Sequence, residues 1–224
     1  MAPRQRFLLI AVVALAAIAI SAQVALSSPW LGLELSPHDG PEGLRVDRVH
    51  PDSPNAGVIR VGSVIVGLQA ADGRQIPLHG NLVMEEPDLL SHTDLNLFMK
   101  RQTELDQALR SGGARFVLAS GDQVPVVAID TPWRQLSDGF SIHTFYGLIA
   151  LLVAVGIWAF RPKSAATRLY ALSGVATMVN TLTLAIYGDR EFVLSGDVFE
   201  VVSAVNHLAT LMVNASLVSL FWVY

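Results

Sequence analysis

WLGLELSPHDGPEGLRVDRVHPDSPNAGVIRVGSVIVGL, running from Trp30 to Leu68, is the stretch on which the fold turns. Its short apolar runs are separated by clusters of Gly, Pro, Asp and Ser, the punctuation of a small β-rich module. Trp30–Leu35 predicts a first strand, with Glu34 set between Leu33 and Leu35. Leu44, Val46 and Val49 largely alternate with Arg45, Asp47 and Arg48, the period of a strand with one buried face. His50-Pro51-Asp52-Ser53-Pro54 breaks it. Val61–Leu68 predicts a third strand, closed by the turn Ala71-Asp72-Gly73.

Further along, Phe116–Ala119 and Val124–Ile129 flank Ser120-Gly121-Asp122-Gln123, which reads as a hairpin. A helix is predicted between the strand groups. Leu95, Phe98, Gln102, Leu105 and Leu109 fall near one face at helical spacing. Ser91 and Asp94 form a capping pair at its start, and Gly112 ends it. Sheet and helix together predict one compact domain over 28–135. The chain has no cysteine, so this core must hold without a disulfide.

The rest of the chain is far more apolar. Overall, 52% of residues are hydrophobic and only 15% charged, with a mean hydropathy of +0.46. The excess is concentrated in four runs: Phe7–Leu26, Ile142–Phe160, Leu169–Tyr187 and Phe199–Tyr224. Each can supply the ~20 residues that cross ~30 Å of hydrocarbon. The predicted organisation is an N-terminal membrane helix over 1–27, the domain over 28–135, and membrane helices over 142–160, 166–187 and 199–224.

Charge orients these segments. Arg4 and Arg6 precede the first run, and Arg161, Lys163 and Arg168 lie between the second and third, all without acids. Asp189, Arg190, Glu191 and Asp197 lie between the third and fourth. Lys and Arg mark the cytoplasmic side. The reading therefore places 28–141 and 188–198 outside, and 161–168 and both termini inside. A cleaved signal peptide, with Ile20-Ser21-Ala22 as the cleavage context, is an alternative for the first run and still exports the domain. The Phe221-Trp222-Val223-Tyr224 end has no basic anchor beyond it, which leads to the expectation that a cytoplasmic output domain follows.

The domain is similar to bacterial PDZ domains. The likeness rests on Trp30-Leu31-Gly32-Leu33, on Ser53-Pro54-Asn55-Ala56-Gly57-Val58, and on Gly62-Ser63-Val64-Ile65, where the family usually has Asp in place of Ser63. The implied fold class is α+β: an extracytoplasmic PDZ-like β-sandwich or barrel with one main helix, attached to four transmembrane α-helices. The implied ligand is a peptide or protein C-terminus in the periplasm, added beside Leu33-Glu34-Leu35. Its carboxylate would sit on the backbone N–H groups of Leu31, Gly32 and Leu33, with Trp30 beside them. Leu95, Phe98 and Met99 would form the facing wall. The competing reading puts Trp30 and the leucines in the core and covers the edge with residues 77–93.

Other chemistry is scarce. Residues 28–141 hold nine Lys/Arg and fifteen Asp/Glu, which argues against nucleic acid as a partner. Glu85-Glu86-Pro87-Asp88 reads as a solvated acidic turn, with a divalent cation or basic peptide as the sharper alternative. The histidines His38, His50, His79, His92 and His143 lack metal-ligand spacing. No metal or other cofactor is expected. HExxH and GxSxG motifs are absent, as is a Gly-rich phosphate loop. Ser173 and His207 lie in different membrane helices at depths ~10 Å apart, too far for a dyad. Asn180, Asn206, His207 and Asn214 read as polar contacts between helices. A His207 switch is the sharper alternative.

The whole arrangement resembles the N-terminal input region of bacterial membrane sensor histidine kinases, which implies a dimer in the inner membrane, in contact with lipid. On that resemblance, a periplasmic domain senses a peptide or protein and relays the event inward to an output of a two-component system. A diguanylate cyclase output fits equally well. The alternative is a membrane-anchored scaffold or chaperone-type protein with no catalytic output.

Overall fold

The computed structural model describes residues 3–38, 42–85, 87, 90–188 and 190–223. By internal contact the chain divides into two compact units. One comprises Leu26–Gln135 together with Arg190–Glu200, and the other holds the remaining described residues.

The first unit is mixed sheet and helix. A two-stranded sheet pairs β1 (Pro29–Trp30) antiparallel with β8 (Ile129–Asp130). The larger sheet contains β2 (Leu33–Pro37), β3 (Leu44–Val49), β4 (Val64–Gln69), β5 (Gln75–Pro77), β6 (Arg115–Leu118) and β7 (Gln123–Pro125). Its order is β2-β3-β4-β6-β7, all antiparallel, with β5 paired to β4. Neither sheet closes on itself, so the expected barrel is replaced by open sheets with β2 at one edge.

Local chemistry explains most of these elements. Leu44 and Val46 of β3 are fully buried while Arg45 and Asp47 face out, the alternation that a one-sided strand requires. A bulge between Ile65 and Gly67 shifts the register of β4 against β6. That extra residue lets both Ile65 and Leu68 enter the core although they are three apart. Two predicted strands are each split in two. Trp30–Leu35 is interrupted at Leu31-Gly32, and Val124–Ile129 gives its ends to different sheets. β5, too short to show a period in the sequence, completes a hairpin with β4.

The predicted helix is α2 (His92–Arg110). Ser91 caps it, its hydroxyl accepting from the Asp94 N–H, and Gly112 leaves it with φ +72°. Phe98, Leu105 and Leu109 are buried, each burial stabilising by about 1.5–3 kcal/mol.

The second unit is built from α1 (Pro3–Leu26), α3 (Asp138–Phe160), α4 (Ala165–Tyr187) and the greater part of α5 (Gly196–Val223). All four helices are long and apolar enough to cross a membrane. The helix of predicted span 142–160 begins four residues earlier, because Ser137 accepts from the Phe140 N–H. The backbones of α3 and α4 approach closely: a Cβ on Gly174 would stand 2.3 Å from Ala154 Cβ. Leu151, Val155, Met178 and Leu182 fill the seam with Ala14 of α1. Such close packing of small residues is how helices associate where water supplies no driving force. Asn206 of α5 donates to the Asn180 carbonyl at 2.9 Å and the Thr183 hydroxyl at 3.0 Å, and Asn180 donates to Thr210 at 2.7 Å. Asn214 is exposed. The Ser173 hydroxyl donates to Tyr170 O, and His207 Nδ1 bonds to Ser203 O, each within its own helix.

Candidate functional site

The site is built around Leu31-Gly32-Leu33, the break between β1 and β2. Trp30 is tied to Ile129 on one side and Leu33 to Val49 on the other, so the chain must turn sharply between sheets. Gly32 makes the turn with φ +71°, a conformation open to glycine at no steric cost. Space demands glycine as well, since a Cβ there would lie 2.5 Å from Ser53 Cβ. The crowding partner is Ser53 of the same unit.

Ser53 and Asn55 fix the turn from behind. The Leu31 carbonyl accepts from Ser53 Oγ at 2.6 Å and Asn55 Nδ2 at 2.9 Å. Asn55 also bonds Val127 through both its carbonyl and its N–H. The Gly32 carbonyl accepts from the His50 N–H at 2.8 Å. With these carbonyls engaged, the three N–H groups of Leu31, Gly32 and Leu33 converge on one point, a concavity suited to an anion.

A carboxylate occupies that point, and it belongs to the chain itself. The Leu31 N–H donates to Glu191 Oε2 at 2.8 Å, and the Leu33 and Gly32 N–H groups also bond to this side chain. Burial pushes the Glu191 carboxyl up to about 7 from an ordinary 4.5, and the three N–H bonds only partly oppose it.

The residues around Glu191 are anchored in the same unit. Arg190 donates to Met84 O and, at 3.5 Å, to Glu85 O. Its guanidinium lies 4.8 Å from the Phe199 ring centre and 5.9 Å from that of Phe98. Phe98 and Phe199 meet edge to face at 5.4 Å. The Leu194 N–H donates to Gln102 Oε1 at 3.0 Å, and the Gly196 N–H to Thr103 Oγ1 at 3.1 Å. Gly196 is pressed against α2 so closely that a Cβ would lie 2.2 Å from the Met99 carbonyl oxygen. The segment thus engages both the loop and the helix wall.

No family model, curated protein or solved structure matches the chain.

The predicted site residues divide by position. Leu31, Gly32 and Leu33 supply the amides. Trp30 is buried, its ring edge-on to His50 at 5.8 Å. Glu34 is exposed and pairs with Arg48 at 3.1 Å, while Leu35 is half-buried on the sheet edge. Phe98 is buried on the wall, with Leu95 and Met99 half-buried nearby on α2. From the 77–93 stretch, Met84 and Glu85 hold Arg190, and Leu82 O accepts from Gln102 at 3.1 Å. Of the acidic turn, Glu86 and Asp88 lie outside the described residues, as do Asp189 and Tyr224. Among the described residues no group of three His, Asp or Glu is placed to hold a metal ion.

Sequence reasoning missed Glu191, Gln102 as a polar bridge, and the bracing role of Ser53 and Asn55. The last was signalled by the Ser53-Pro54-Asn55 match. Glu191 was signalled faintly by Phe192-Val193-Leu194, an apolar triplet in a predicted external connection.

Proposed function

We propose that Leu26–Gln135 is a PDZ-like extracytoplasmic receptor for a peptide or protein C-terminus. The chain acts as the membrane input region of a signalling protein, with a two-component histidine kinase as the parent. The observation that supports this is the set of three backbone N–H groups holding a carboxylate at the head of a sheet edge. A terminal carboxylate has the same two-oxygen geometry and charge. Edge strand β2 offers backbone groups for pairing, and α2 offers an apolar wall. The charge asymmetry supports an outward-facing receptor in a bacterial inner membrane.

The test is a binding titration of the full chain in lipid nanodiscs. The probes are fluorescein-labelled heptapeptides ending in Val, Leu or Phe, each as the free acid and as the C-terminal amide. The free acids should bind at least about tenfold more tightly, since an amide forfeits the charge-assisted bonds to the loop. Equal affinity for acid and amide removes the basis for this function.

A further inference from the structure

We propose that residues 190–196 are a tethered ligand of this groove, which an incoming C-terminus must eject, and that ejection releases the start of α5. The proposal rests on the reading of the groove given above. It adds what competes for the groove and what moves when the competitor leaves.

Exclusivity follows from the chemistry of the loop. Each of the three amides offers one proton, and all three are spent on Glu191. A second carboxylate at the same point would find no donor and would face a like charge. Peptide and Glu191 therefore cannot bind together.

The tethered segment also defines the ligand. It presents a carboxylate followed directly by Phe192, Val193 and Leu194, which are 1%, 1% and 3% exposed. A free ligand that replaces it must offer a carboxylate beside large apolar side chains. The final residue of an apolar C-terminal peptide does so, its side chain and α-carboxylate sharing one carbon.

Tethering sets the strength of competition. A segment held at both ends acts at a millimolar-scale effective concentration, so peptide affinity is lowered without any contact to the peptide. The consequence of ejection follows from chain continuity. Leu194 and Gly196 are bonded to Gln102 and Thr103, and α5 begins at Gly196. Phe199, in the first turn of that helix, is fully buried against Phe98. Losing Glu191 from the loop frees the residues that fix where α5 starts.

The experiment uses the full chain in nanodiscs, with the same peptide acids and amides as probes. Ser195→Cys supplies the only thiol in a cysteine-free chain and carries a spin label. Glu191→Ala removes the competing carboxylate. Arg190→Ala weakens the segment from its other side and leaves the loop untouched, which covers the case where the first variant folds poorly. Both variants should bind peptide acids about tenfold or more tightly than the parent. Peptide acid should mobilise the label on the parent. If acids bind the parent and both variants alike and the label stays immobile, the tethered-ligand proposal is overturned while the groove stands. If acids and amides bind alike or not at all in every protein, the groove reading itself fails, and the proposal with it.

Discussion

Glu191 is held by backbone amides, and that makes its docking respond to acid. Free in water its carboxyl has an ordinary value of 4.5; docked, burial raises it to about 7. The docked state therefore binds more protons than the free state between these values, and linkage fixes the sign. Docking is strongest below pH 4.5, weakens as pH rises toward about 7, and levels off above that. The neighbouring charges are already engaged: Arg190 with Met84, Glu85 and two rings, and Glu34 with Arg48. A spin label at Ser195→Cys should accordingly become more mobile between pH 4.5 and 7, and Glu191→Ala should erase that dependence. A pH response unchanged in Glu191→Ala would show that Glu191 is not its source.

At the scale of elements, α2 joins the sheet side of the unit to the segment that fills it. Gln102 is fully buried, donating to Leu82 O and accepting from the Leu194 N–H. Gln102→Leu keeps the volume and leaves a buried carbonyl and a buried N–H without partners. Each orphan costs about 1–3 kcal/mol, so thermal unfolding of the mixed sheet-and-helix unit should fall by several degrees. An unchanged midpoint would mean that water replaces both bonds. The same helix shows what a sequence reveals. Its face, Ser91 cap and Gly112 exit are local signals spaced three and four residues apart, and so was the alternation of β3. The break at Gly32 was hidden because Trp30–Leu35 has the composition of one strand. What splits it is the pairing of Trp30 with Ile129 in one sheet and of Leu33 with Val49 in the other, with Ser53, twenty-one positions beyond Gly32, leaving no room for a side chain at the turn. The expectation of a carboxylate on the amides of Leu31, Gly32 and Leu33 came from a resemblance, not from any local signal in the residues. Their occupant was not legible, because Glu191 is separated from Leu31 by 160 positions and no periodicity spans such a distance.

For the molecule as a whole, the charge pattern predicts which side of a membrane each part meets, and the proposed signalling role depends on it. Among the described residues four helices are long and apolar enough to cross. Arg161 and Lys163 stand in the α3–α4 connection and Arg168 in the first turn of α4, whereas the Leu26–Gln135 unit carries an acidic excess. The charge rule predicts these three cations on the cytoplasmic face, which would set the alternation of the remaining segments. The absence of native cysteine makes this directly measurable. Single substitutions Arg60→Cys and Lys163→Cys, both at exposed positions, should label from opposite sides in intact cells. A membrane-impermeant maleimide added outside, after outer-membrane permeabilisation, should modify Arg60→Cys at once and Lys163→Cys only after lysis. Labelling of both before lysis would show that α1 and α3 do not place these residues across a bilayer. Labelling of Lys163→Cys alone would invert the orientation, put the carboxylate loop in the cytoplasm, and require its ligand to be sought among cytoplasmic C-termini.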